Sequence, residues 1–314
     1  MCRHTIVCLG VSGLDKESDM SFLLDLLRGA LIGVANIIPG VSGGTMMVTM
    51  GIYDKLLSSI TGLFKHLKKS VMTLLPYFLG MGVGIVGFAF LLTKYLLVKF
   101  PLPTAFAFIG LIVGGIPLIV KKLRAAGEAE KQASRKENVW LNRIIFVLFF
   151  ALILGMQFLG EGVTREVKPS VAIALIMVVM GVITSSAMVI PGVSGSLILL
   201  AIGYYNSITA AITDFISALK AMDFPVLFEK FAVLFPFGIG VLLGIFFVAK
   251  LIEWLLRKHG KTTYYGILGL VVSSPVPVFL NALNTDVPVT VGAVVASALT
   301  CAAGTVAAYV MSKE

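Results

Sequence analysis

The sequence predicts an all-α, polytopic membrane protein made of two inverted-topology repeats, each a re-entrant helix hairpin followed by three transmembrane helices. Three observations carry that prediction. The 314 residues are 58% hydrophobic and only 13% charged, with a mean hydropathy of +1.00, which is too apolar for a soluble globule. Several apolar runs approach or exceed the roughly 20 residues that cross a bilayer as a helix. Finally, Ile38-Pro-Gly-Val-Ser-Gly43 returns unchanged as Ile190-Pro-Gly-Val-Ser-Gly195. Gly51-Ile-Tyr53 trails the first copy, and Gly203-Tyr-Tyr205 trails the second at the same offset, so the chain reads as a duplicated unit.

Residues 1–20 read as an N-terminal extension. The apolar run 6–9 is too short for a span, no small-residue cleavage site follows a long apolar region, and Met20 stands as an alternative start. Repeat one is assigned to 21–160, with its hairpin at 21–61 and spans at 73–98, 104–120 and 144–160. The first arm carries Asp25 and Arg28 and is expected to end near Ile38, because Pro39 lacks an N–H and disfavours helix in the residue before it. Glycines beside Ser42 let the backbone turn, and Ser42 is expected to cap a helix beginning near Thr45. That second arm is apolar only from Thr45 to Tyr53. It reaches about 13 Å against a hydrocarbon layer of about 30 Å, so a full crossing strands Asp54 and Lys55 near the midplane. A re-entrant arm returns both to the interface. The stretch 121–143, rich in Ala, Glu and Lys, is read as a surface helix or a mobile linker.

Repeat two, 171–311, follows the same plan, with its hairpin at 171–218 and spans at 231–256, 263–280 and 289–311. Its first arm, 171–190, is longer and carries no charge, and its second, 197–205, is again a short apolar stretch before Asn206. Leu75-Pro-Tyr-Phe-Leu-Gly80 corresponds to Phe235-Pro-Phe-Gly-Ile-Gly240, and Gly110-Leu-Ile-Val113 to Gly269-Leu-Val-Val272. The glycines at 80, 82, 84, 87, 238, 240 and 244 suit close helix packing.

Orientation follows from counting. Three spans separate the hairpins, so the hairpins open on opposite sides. Loops 62–72, 121–143 and 257–261 fall on one side and hold thirteen Lys and Arg; loops 99–103, 161–168, 206–230 and 281–288 hold five, against six Asp and Glu. The positive-inside rule then puts both termini in the cytoplasm. The net charge of +9 lies in loops that favour anionic membrane lipids, which argues against nucleic acid as a partner.

Catalytic chemistry has little to stand on. His4, His66 and His259 lie in the extension or in basic loops, and Cys2, Cys8 and Cys301 show no metal-ligand spacing. No metalloprotease, Walker or paired-cysteine motif is present, so neither enzyme activity nor a cofactor nor a metal is expected. The two helix starts are different: their unpaired N–H groups and the positive end of the dipole favour an anion. The alternative is a tight helix corner with no ligand. Arg28, Lys94 and Lys250 lie at membrane depth as candidate phosphate contacts or gating charges. Lys99 and Arg257 near helix ends are expected to snorkel, and Arg165 to pair locally with Glu161 and Glu166.

Arg28-Gly29, Asn36-Ile-Ile-Pro-Gly-Val-Ser-Gly-Gly-Thr45 and Met188-Val-Ile-Pro-Gly-Val-Ser-Gly-Ser196 carry a resemblance to the bacterial and archaeal PopT family of polyprenyl-phosphate translocases. It covers nearly the whole chain from Met20 onward, and the doubled turn is its specific part. The copies differ at Ser196 and Leu197, which stand where the first has Gly44 and Thr45. The resemblance implies transport of undecaprenyl phosphate from the outer to the inner leaflet for reuse. On that reading Ser42, Gly43, Gly44 and Thr45 hold the headgroup from the inner half, and Ser194, Gly195 and Ser196 hold it from the outer half. Asn36 and Arg28 assist, Gly40 and Gly192 belong to the substrate-binding turns as well, and a proton or cation is a candidate coupling partner. Two other classes stay open: an ion-coupled carrier or channel for a small anion, and a non-transporting scaffold that docks through 121–143.

Overall fold

The structure is a computed structural model that describes residues 11–37, 41–91, 95–132, 138–158, 162–285 and 287–312. Gly40, Lys94 and residues 1–10 of the expected extension lie outside the described residues. Every regular element among them is helical: α1 (Val11–Ile37), α2 (Gly43–Thr49), α3 (Tyr53–Thr61), α4 (Leu67–Leu91), α5 (Leu97–Lys99), α6 (Pro101–Gln132) and α7 (Val139–Met156). The second half supplies α8 (Val171–Val189), α9 (Gly195–Ile202), α10 (Tyr205–Ala221), α11 (Phe224–Lys258), α12 (Gly260–Ser273), α13 (Pro275–Leu283) and α14 (Val291–Met311).

Seven segments among the described residues are long and apolar enough to cross a membrane: α4, α6, α7, α8, α11, the α12–α13 pair and α14. Six correspond to the expected spans. The seventh is α8, whose 19 residues carry no charge, so it has the length and composition to cross, whereas α1 is not among the seven. α9 and α10 meet at a bend of 107°. α6 runs on past residue 120 to Gln132, so the start of the polar loop is a continuation of the span. There Glu130 accepts the Lys261 amide at 3.0 Å, which fastens the extension to the start of α12.

The helix boundaries have local causes. Pro101 opens α6 and Pro275 opens α13, where no intrahelical N–H is needed. Side chains of Asn138, Ser170, Asp223 and Thr290 accept backbone amides three residues on and cap α7, α8, α11 and α14. Gly51 and Gly203 end α2 and α9 with φ of +77° and +86°, a conformation that favours glycine. The same left-handed break thus follows both turns, and it stops each second arm after two helical turns.

Packing repeats along with the sequence. α1 lies against α4, and α8 against α11, at backbone distance. A Cβ on Gly80 would fall 2.0 Å from the Leu26 carbonyl oxygen, and a Cβ on Gly240 would fall 2.0 Å from that of Val178. Gly84 faces the Ala30 carbonyl and Gly244 that of Val182; Gly29 faces Tyr77, and Gly181 faces Phe237. Each of these three contacts in the first half has its partner in the second at equivalent positions, whereas a Cβ on Gly82, Gly87 or Gly238, also expected at close packing, would meet nothing within 4 Å among the described residues. α6 pairs with α14 through Gly110, Gly114 and Gly304, and α12 pairs with α7 through Gly269. Small residues let the backbones approach where no hydrophobic force drives helices together in lipid. The main core gathers α1–α4, α6 and α11–α13 around Ile112, Ile119, Val271 and Tyr77.

Candidate functional site

The two turns meet. Ser42 and Ser194 take the same extended backbone, φ −111° and ψ 134° in one, φ −100° and ψ 116° in the other, directly before α2 and α9. The Gly192 amide donates to Thr45 Oγ1 at 2.7 Å, with Thr45 wholly buried. Tyr53 donates its hydroxyl to the Val189 carbonyl at 3.1 Å. Gly44 lies so close that a Cβ there would sit 3.0 Å from the Met188 carbonyl oxygen. These contacts clasp α2 and α3 of the first half to the turn of the second. The clasp is one-sided: Leu197 stands where Thr45 stands in the first copy and has no hydroxyl to offer. Replacing Thr45 with valine should leave the buried Gly192 N–H without its acceptor, at a cost of about 1–3 kcal/mol. A lowered thermal midpoint of the detergent-solubilised protein, kept by Thr45→Ser, checks this; an unchanged midpoint would show that the bond contributes nothing.

Beside the clasp is a cavity of about 250 Å³. Asn36, Val41 and Ser42 line it from the first half, and Thr184, Ser194 and Ser196 from the second. Apolar side chains, Phe237 and Ile212 among them, close most of the rest, and among the described residues no charged side chain lines it. Ser42 was expected to cap α2, but its side chain makes no capping bond. Asn36 takes that role, accepting the Gly43 amide through Oδ1 at 3.1 Å, and Gly43 is the residue that fits, since a Cβ there would lie 2.7 Å from that oxygen. Ser42 Oγ is left buried, 4% exposed for the residue, with no hydrogen-bond partner among the described residues. Across the cavity Ser194 Oγ and Ser196 Oγ are 2.9 Å apart. The first amide bonded within α9 is that of Ile198, to the Ser194 carbonyl at 3.3 Å, so the amides of 195–197 have no carbonyl one turn back. Hydroxyls and helix-start amides converge here as neutral donors, the equipment for an anion.

The cavity thus unites Asn36, Ser42, Ser194, Gly195 and Ser196. Thr45, Gly44 and Gly192 lie behind it, spent on the clasp. Arg28 is elsewhere: its Nη1 bonds Asp25 at 3.2 Å and its Nη2 the Met311 carbonyl at 3.1 Å. Lys250 sits exposed on α11 with its ammonium 5.8 Å from the Phe246 ring centroid. Thr184, Thr209, Tyr205 and Phe237 are lining residues that sequence reasoning did not single out. Tyr205 had a signal, since it closes the repeated Gly-x-Tyr. The hydroxyls of Thr184 and Thr209 are used on the carbonyls of Met180 and Tyr205, at 2.7 and 2.8 Å.

The charges near the hairpin form a separate structure. Asp25 accepts from Tyr77 at 2.6 Å and Lys55 at 2.7 Å as well as from Arg28. Adjacent Asp54 points another way, to Lys122 and to Tyr264 Oη at 3.3 Å, because neighbours on α3 are turned about 100° apart. The expected Asp54–Lys55 pair is thus divided between two networks. Among the described residues no group of three His, Cys, Asp or Glu side chains is placed to hold a metal.

A family model described as VCA0040-like, undecaprenyl phosphate translocase-like, matches residues 32–290, which contain both turns and the cavity between them. The chain belongs to that family. It is 31% identical over 259 residues to a Staphylococcus aureus protein named polyprenyl-phosphate transporter, covering 82% of this chain and 86% of that one. A Vibrio cholerae protein of the same name is 29% identical over 275 residues, covering 81% of this chain and 77% of that one. No solved structure matches. The family and these relatives carry transporter names, and this member is a multi-pass membrane transporter whose two repeated turns share one cavity.

Proposed function

We propose that the chain carries a polyprenyl phosphate of the undecaprenyl phosphate type across the cytoplasmic membrane, from the outer to the inner leaflet, returning the lipid carrier for cell-envelope synthesis. The observation that carries this reading is the cavity between the turns, where the partnerless Ser42 hydroxyl faces the Ser194–Ser196 pair and the start of α9. The names of the bacterial relatives support the substrate. An ionised phosphate leaving water for an apolar medium loses hydration worth on the order of tens of kcal/mol, and amides and hydroxyls replace part of it. Neutral donors suit a carried group better than a lysine clamp, because the site must release what it binds.

The two halves act as inverted repeats that rock about the paired turns, opening the cavity to one leaflet and then the other. Basic loops hold both termini in the cytoplasm. Ser42 and Asn36 grip the head from the inner half, and Ser194, Gly195 and Ser196 grip it from the outer half. The test is a leaflet-resolved assay of prenyl phosphate in proteoliposomes, with and without a proton gradient, alongside uptake of labelled inorganic phosphate. The expected result is protein-dependent loss of lipid phosphate from the outer leaflet and no phosphate uptake. Uptake of the soluble anion without lipid movement would overturn the reading in favour of a small-anion carrier.

A further inference from the structure

The two hairpins carry the same tyrosine in two different situations. Tyr53 and Tyr205 follow their turns at the same offset, and each is the first residue of its helix, α3 or α10. The left-handed breaks at Gly51 and Gly203 lie just before them. Tyr53 is 3% exposed and donates its hydroxyl to the carbonyl of Val189, the last residue of α8. A carbonyl at a helix end has no intrahelical amide to accept, and the phenol supplies a donor. Tyr205 is 38% exposed and lines the headgroup cavity, and its hydroxyl bonds none of the described residues.

Packing differs in the same sense. α3 lies against α4 of its own half and against α11 of the other. α10 lies against α9 and α11, both of its own half, and among the described residues it has no comparable packing on α4. Thr209 and Ile212 of α10 line the cavity, and their equivalents in α3 are Leu57 and Ile60. Leu57 is buried where Thr209 is exposed. One hairpin is closed onto the opposite half, and the other stands open over the cavity.

We infer that Tyr205 is a latch, open here, which closes the second hairpin by donating its hydroxyl to the Ile37 carbonyl as Tyr53 releases that of Val189. The inference rests on the proposed rocking of the two halves and assigns that motion a residue. Ile37 is the acceptor because it ends α1 as Val189 ends α8, at the equivalent position. Asn36, the residue before it, lines the cavity that Tyr205 also lines, which puts the end of α1 beside the space the tyrosine occupies. Two copies of one unit in unlike arrangements have a second state with the arrangements exchanged, and the bond given up by one tyrosine is then remade by the other. Thr45 has no such counterpart, since Leu197 lacks a hydroxyl; of the clasp's side-chain donors and acceptors, only the tyrosine is kept in both copies.

The test uses the full-length protein in lipid nanodiscs, with Cys2→Ser, Cys8→Ser and Cys301→Ser and a single reporter, Leu57→Cys. Its rate of labelling by a water-soluble maleimide reads the state in which α3 has let go. Ile60→Cys, at the position of Ile212, is a second reporter should the first disturb folding. Tyr53→Phe should raise the rate about fivefold and Tyr205→Phe should lower it about fivefold, the shift that one ordinary hydrogen bond produces. The two changes together should return the rate close to that of the parent, which a general loosening of the fold cannot do. A rate unchanged by Tyr205→Phe overturns the latch, and so does a double variant that labels as fast as Tyr53→Phe alone. Labelling needs no lipid phosphate, so it separates from the leaflet assay. Lipid movement with flat labelling removes the latch alone, and shifted labelling without lipid movement removes the proposed substrate alone.

Discussion

Replacing Ser42 with leucine abolishes lipid transport and leaves the protein folded: that is the outcome the cavity predicts. The hydroxyl is buried yet bonds none of the described residues, so its loss removes no hydrogen bond among them. The isobutyl group, by contrast, enters a space of only about 250 Å³ that the headgroup needs. A hydrogen bond to a charged group is worth about 1.5–3 kcal/mol, which translates to about 10–150-fold in affinity. Ser42→Ala, which deletes the hydroxyl without filling the space, is expected at the low end of that range. Ser42→Leu combined with Ser194→Leu removes donors from both halves and is expected to stop flux altogether. Leaflet-resolved flux, normalised to the monodisperse fraction on size exclusion, makes the comparison. Normal flux through a folded Ser42→Leu protein would remove the cavity from the transport path.

The second large effect is on stability. Asp25→Ala is expected to cost about 3 kcal/mol, because it removes the buried carboxylate on which Arg28, Tyr77 and the half-exposed Lys55 converge. Asp25 and Arg28 are 9% and 8% exposed, and the carboxylate collects bonds from α1, α3 and α4 at once. The second half indicates how the loss is reversed. Positions equivalent to Asp25, Arg28, Lys55 and Tyr77 hold Met177, Met180, Ser207 and Phe237. Met177 is fully buried there in an apolar cluster with Leu199, Ile208 and Val233. Carrying that set across, as Asp25→Met, Arg28→Met, Lys55→Ser and Tyr77→Phe together, should restore a midpoint close to the wild type, since well-packed apolar groups replace buried ion pairs at little cost. Thermal unfolding in detergent measures both variants. A single Asp25→Ala change without effect would mean that the network is held by solvent and not by burial.

Much of the fold was legible because its signals are local. Span lengths, the positions of helix-opening prolines and the doubled hexapeptide all depend on neighbours in the chain, and so does the left-handed break at Gly51 and Gly203. The seven apolar helices follow from such signals, including α8, whose uncharged length already set it apart from the first arm of its twin hairpin. The site was legible in part. Identical turns drew attention to Ser42 and Ser194, and both line the cavity.

Other features depended on which faces of distant helices meet, and sequence spacing does not encode that. Arg28 looked suited to a phosphate by depth and charge, but its face of α1 turns toward the Met311 carbonyl, 283 residues away. Thr45 looked like a headgroup donor, and burial against the second turn gives it to Gly192 instead. Asn36 displaced Ser42 as the cap of α2, and that exchange is what leaves a hydroxyl unspent. The sequence alone determined a duplicated, membrane-crossing chain with two matching kinks, because periodicity and turn chemistry are properties of neighbouring residues. Tertiary structure alone decided that the kinks face one another across a single pocket and which polar groups remain unpaired in it, because those depend on helix rotation and close glycine-mediated packing.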